Sequence, residues 1–180
     1  VPTRPDASTP APSAPEDAVD RIVAQWHTQR PDLDPSPMQV FGRLHRIAER
    51  LSTQIEATFN EFGLGEGDFD VLASLRRAGD PFTLSPSALA EATMVTTGAT
   101  SKRIARLQAR GLVHRTQCDD DGRGRWISLT PTGLALVDEV VEHHLANERR
   151  LLAPLDAGQR DALTALLRHW LLALEPPLDS

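Results

Sequence analysis

Apolar positions recur along this chain at helical spacing in seven stretches and at strand spacing in only two short ones. In residues 16–30, Val19, Ile22, Val23 and Trp26 mark one face of a short helix that Pro31 ends. From Met38 to Phe62, the positions Val40, Phe41, Leu44, Ile47, Leu51, Ile55, Phe59 and Phe62 form one unbroken stripe, a long helix stopped by Gly63 and Gly65. Asp68–Ala78 reads as a third helix, with Phe69, Val71, Leu72 and Leu75 inward and Gly79 closing it. Ser85-Pro86 is a cap followed by proline at the first helical position, and opens the short helix SALAEA.

The next helix begins at Thr96 or Thr97 and buries Thr100, Ile104 and Leu107 before Gly111 stops it. Residues 112–117 and 125–130 alternate as two strands, joined by the turn signal CDDDGRG. Thr130-Pro131 repeats the cap-plus-proline start and opens a helix with Leu134, Leu136, Val137, Val140, Val141 and Leu145 on one side, running to about Leu152. Asp156 and Gln159 form a capping box for a last helix carrying Leu163, Leu166, Leu167, Trp170, Leu171 and Leu174, which Pro176-Pro177 ends.

This order predicts a mainly α fold with a small β-wing, that is, a winged helix-turn-helix. Four regions follow: a disordered tail over 1–15, with five prolines; N-terminal helices over 16–62; the DNA-binding domain over 63–130; and C-terminal helices over 131–175. The terminal helices carry more apolar surface than one small wing domain covers, so they are expected to pair two copies of the chain as a homodimer.

Charge sharpens the picture. The protein carries −6 overall, yet the segment from Thr97 to Arg125 carries +4, so the remainder stands at about −10. A recognition helix needs small residues at its first turn and polar or basic ones on its outward face. Thr97 and Gly98 supply the first, and Ser101, Lys102 and Arg106 the second. Arg123 and Arg125, beside the wing tip, suit phosphate or minor-groove contact. One cysteine, Cys118, excludes an intramolecular disulfide, and its acidic neighbours Asp119–Asp121 disfavour a reactive thiolate. No long apolar run and no signal-like N-terminus is present, which predicts the cytoplasm. No catalytic constellation appears, so neither an enzyme nor a cofactor is expected. The adjacent His143 and His144 read as a solvated helix face rather than a metal site.

The run Leu64–Leu152 resembles the MarR family of transcriptional regulators through SALAEA, TSKRIARLQARGLVHR and DDDGRGRWISLTPTG. The resemblance implies a dimeric winged-helix regulator that binds a palindromic operator, and implies that Asp121 and Arg123 help brace the wing. The chain is further similar to a urate-responsive, PecS-like subgroup with an extra N-terminal helix carrying a tryptophan. That likeness implies a ligand set of Trp26, Asp70, Arg77, Arg103 and Arg115, a small anionic ligand, and an Asp70–Arg103 link broken when it binds. Arginines would hold the anion by paired hydrogen bonds. The alternatives are a MarR-type response to a phenolic compound or an oxidant, and a winged-helix module that binds protein instead of DNA.

Overall fold

The computed structural model describes residues 15–93, 97–117 and 125–175. The predicted tail, the wing tip with Cys118, Asp121 and Arg123, and Pro176-Pro177 lie outside the described residues, apart from Pro15. The elements run α1 (Ala18–Gln29), α2 (Pro37–Glu61), α3 (Glu66–Arg77), β1 (Thr83–Leu84), α4 (Pro86–Ala92), α5 (Thr97–Ala109), β2 (Val113–Gln117), β3 (Arg125–Leu129), α6 (Pro131–Leu151) and α7 (Ala157–Leu174). The chain divides into two compact units, Val1–Arg50 and Leu51–Ser180, so α2 carries residues of both.

In the first unit Asp17 caps α1. Its carboxylate accepts from the Val19 and Asp20 amides at 2.7 and 3.1 Å, and the Asp20 carboxylate accepts from the Asp17 amide. Arg43 on α2 donates to both carboxylates, at 2.8 and 2.6 Å, and Val19 packs where Gly42 lacks a side chain. Only Val19 and Val23 of α1 are buried; Ile22 and Trp26, expected inward, are each 43% exposed.

The second unit holds the main core. Phe59 from the end of α2, Val71, Leu72 and Leu75 from α3, Leu89 from α4, and Ile104 and Leu107 from α5 meet Ile127 of β3 and Val137 and Val140 of α6. The helix caps follow the sequence. Ser85 accepts from the Ala88 amide, Thr130 from the Gly133 amide, and Asp156 and Gln159 close a capping box. Thr97 is the first residue of α5, and Thr96, the other candidate for its start, lies outside the described residues.

The sheet has three strands in the order β1-β3-β2, all antiparallel. Val113 faces Leu129 and Arg115 faces Ile127 across the wing, while Thr83 faces Ser128 on the other side of β3. Strand β1 was not predicted, because two residues cannot display an alternation. One junction fixes the wing to α6. Thr130 Oγ1 donates to the carbonyls of Gly111 and Leu112, at 2.8 and 3.2 Å. Gly133 lies so close that a Cβ there would come within 1.9 Å of the Leu112 oxygen. Only glycine permits that approach.

Candidate functional site: recognition helix and a basic cluster

Helix α5 has two working sides. Toward the core it buries Thr100, Ile104 and Leu107. Away from it, Gly98, Ser101 and Lys102 are exposed, and the space where a Cβ of Gly98 would stand is open. These three residues form a clear approach for a partner surface. The backbone of Thr97 opens the helix and that of Arg125 opens β3.

The basic residues of α5, Lys102, Arg103 and Arg106, and Arg110 just past its end do not all face outward. Arg106 turns back onto Asp68 of α3. Its Nε lies 3.0 and 2.9 Å from the two carboxylate oxygens, and its Nη2 is 2.5 Å from Oδ1. Asp68 is 2% exposed and also accepts from the Gly65 amide at 3.2 Å, so it both starts α3 and anchors α5. Arg110 donates to the carbonyls of Gly63 and Phe62, at 2.6 and 3.2 Å. Arg103 lies against α3 where Gly67 lacks a side chain; a Cβ there would come within 2.1 Å of its Cζ. Lys102 is exposed and, among the described residues, makes no ion pair.

The predicted Asp70–Arg103 link is therefore corrected. No hydrogen bond or ion pair joins the two residues; the pair that ties α3 to α5 is Asp68–Arg106. Arg103 is drawn into the gap at Gly67 and acts on Asp70 through space. Asp70 is half-buried, and among the described residues its carboxyl takes no hydrogen bond. Burial pushes its carboxyl above the usual carboxylate range, reinforced by Glu66 one turn back, against the pull of Arg103, Arg77 and His144. Three basic side chains thus surround one carboxyl without bonding to it.

Beside this cluster runs a cleft of about 220 Å³ between α3 and α6, lined by Phe69, Ala73, Arg76, Arg77, Val137, Val141 and His144. Arg76 is spent on structure: it pairs with Asp138 of α6 at 2.7 Å and lies over the Phe82 ring. Among the described residues Arg77 makes no ion pair, and it donates to Ser74 Oγ at 3.0 Å. His144 corrects the expectation of a solvated face. Its side chain is 18% exposed, its ring packs against Phe59 and Phe69, and neighbouring His143 meets Phe62 edge-on. Its Nε2 reaches Glu148 at 3.2 Å, whereas its Nδ1 is buried without a partner, as is Nη1 of Arg103.

Of the predicted ligand set, the structure brings together Asp70, Arg77 and Arg103. Arg115 stands exposed on β2, beside a separate cleft of about 160 Å³ shared with Ser101, Ile104 and Ile127. Trp26 belongs to the first unit. Sequence reasoning missed His144; the signal was its place four residues after Val140 and three after Val141, on the inward stripe of α6.

Comparison with known proteins agrees with this fold. The sequence model of the MarR family matches residues 62–124. The chain is 39% identical to the HTH-type transcriptional regulator PecS of Dickeya dadantii over 149 residues, 83% of this chain and 90% of that protein. Among solved structures it is similar to the MarR family regulator AbsC of Streptomyces coelicolor, with a TM-score of 0.71 and 28% identity over 79% of this chain and 96% of that one. It is also similar to BpsR of Bordetella bronchiseptica, whose DNA binding is regulated by 6-hydroxynicotinic acid, with a TM-score of 0.64 and 29% identity over 73% and 91% of the two chains.

Proposed function

Because this chain belongs to the MarR family and is a DNA-binding transcriptional regulator of PecS-like type, we propose that it is a homodimeric repressor of the cytoplasm, released from a palindromic operator by a small anionic ligand such as urate. The observation that carries this reading is the division of labour on α5. Gly98, Ser101 and Lys102 are exposed, as a surface offered to a DNA groove must be, while Arg103 on the same helix lies against α3 at Gly67. Thr97, Arg123 and Arg125 complete the DNA set, with the wing arginines on phosphates or the minor groove. Arg106 serves that set by fixing the helix that carries it.

The ligand part of the reading is supported by Asp70, Arg77 and Arg103, with Arg115 and Trp26 as its further predicted members. A planar anion drawn to Arg77 and Arg103 would pull Arg103 from the Gly67 gap and loosen the seat of α5 on α3. The related BpsR responds to a small aromatic acid, which favours this class of ligand over an oxidant. The test is a fluorescence-anisotropy titration on DNA upstream of the chain's own gene, with and without urate. Binding is expected to weaken steeply with salt, as phosphate neutralisation requires, and to weaken further with urate. Salt-insensitive binding would favour the protein-interaction module instead.

A further inference from the structure

Arg115 breaks the pattern of its strand. It stands opposite Ile127 in the antiparallel pair β2–β3 and two residues beyond Val113, on the sheet face where those two side chains are 1% and 2% exposed. An arginine at such a position lays its stem along apolar neighbours and carries its charge outward. Arg115 is accordingly exposed, at the rim of the core, where it shares a cleft of about 160 Å³ with Pro86, Ser101, Ile104 and Ile127. Among the described residues its guanidinium makes no ion pair and no hydrogen bond. The cleft joins the start of α4, at Pro86, to Ser101 on the exposed side of α5. Ser101 and Arg103 are two positions apart on α5, about 200° around the helix, and so on nearly opposite sides of it. Arg103, Arg77 and His144 act on the Asp70 carboxyl; Arg115 does not belong to that group.

We propose that Arg115 is a DNA contact: its guanidinium clamps a phosphate of the strand bordering the groove that α5 enters. In a helix-turn-helix the second helix enters the major groove while the first crosses the backbone. Here α4 is the first and α5 the second, so a cation in the cleft between them stands where a phosphate passes. Arg115 is carried by the first strand of the wing and not by the inserted helix, which suits the phosphate edge rather than the bases. Its planar guanidinium offers two N–H groups to two phosphate oxygens at once. This takes Arg115 out of the effector set that the family likeness implied, without altering the rest of that set. The inference rests on the DNA-binding reading and is independent of the effector.

Arg115→Lys and Arg115→Gln both keep an aliphatic stem in the cleft and differ in charge. Anisotropy titrations of the full chain use two DNA duplexes of equal length, the region upstream of its own gene and a shuffled sequence. Each is run at several salt concentrations, with and without urate. Arg115→Gln is expected to weaken binding to both duplexes about equally, by roughly five- to tenfold, and to reduce the salt slope by about one. Arg115→Lys should keep the slope and most of the affinity. The factor by which urate weakens binding should be the same in all three chains. Unchanged affinity and slope in Arg115→Gln overturn the proposal, and a urate response lost at unchanged affinity returns Arg115 to the effector site. A loss confined to the upstream duplex overturns the phosphate contact in favour of a base contact. Equal losses in Arg115→Lys and Arg115→Gln overturn the role of its charge. If the unsubstituted chain binds neither duplex with any salt dependence, it is the DNA-binding reading itself that fails.

Discussion

Lys102 and Arg106 stand one turn apart on α5, and both carry an exposed positive side chain, yet they do different work. Arg106 neutralises a carboxylate that is almost wholly buried, although its own side chain is 56% exposed. Removing it strands that charge in the interior. Arg106→Ala is therefore expected to cost about 2–3 kcal/mol of stability, below the figure for a fully buried pair because one partner is wet. Lys102→Ala should leave stability within about 0.5 kcal/mol while weakening DNA binding and reducing its salt slope by about one. Denaturant melts of both variants, set beside anisotropy titrations at several salt concentrations, check the contrast. If Arg106→Ala melts like the parent, the pinning role fails. None of this division was legible in the sequence, which shows four basic residues on one helix but not which of them finds a partner. Asp68 and Asp70 differ only in which side of α3 they occupy, and both sides are packed, so periodicity could not rank them.

At the scale of elements, caps and stops were the most legible features, because each rests on the local chemistry of two or three residues. Ser85-Pro86, Thr130-Pro131 and the Asp156–Gln159 box all start helices as read. Strand β1 was hidden because its two residues depend on a distant partner, β3. The face of α1 was misjudged for a related reason: four apolar residues at helical spacing say which side is apolar, not how much of it finds a cover. The junction at Gly133 gives this scale its prediction. Gly133→Ala places a carbon against the Leu112 carbonyl, which is backbone and can yield only if α6 or the wing moves. A loss of about 3 kcal/mol or more is expected in thermal or denaturant unfolding. A loss below about 1 kcal/mol would mean the junction flexes freely.

At the scale of the whole molecule, the outer faces are unusually apolar. Leu166, Leu172 and Leu174 of α7 are each at least 68% exposed, with none of that helix buried. Phe41 and Ile47 of α2 are also exposed. A chain with a net charge of −6 would not keep so much leucine in water without a partner, and a second copy is the occupant proposed above. Leu166→Glu with Leu171→Glu should shift the chain from dimer to monomer in sedimentation at micromolar concentration, and should weaken operator binding with it. Two half-sites read by two linked subunits gain from effective concentration, and separated subunits lose that gain. A dimer that survives both substitutions would place the interface elsewhere. Among the described residues no helix is long and apolar enough to cross a membrane, so the leucines of α7 do not make it a spanning segment. The overall fold was legible because helical spacing is a local pattern, and it recurs in seven stretches around one short pair of strands. What the apolar surfaces face was not, because a second molecule leaves no mark on the spacing of the first.

The staple at Thr130 and Gly133 has a mechanical meaning. The base of the wing and the first turn of α6 share one carbonyl group, so they cannot swivel against each other. Helix α6 is 21 residues long, a rod of about 30 Å. His144 sits well along that rod, and the wing is clamped to its near end. Pivoted at one end, such a rod turns a tilt of about 4° into a travel of about 2 Å at the other. A displacement no larger than the width of one atom beside His144 would thus be delivered to the DNA lobe as a change of angle, and glycine is the rivet that keeps the lever from bending at its grip.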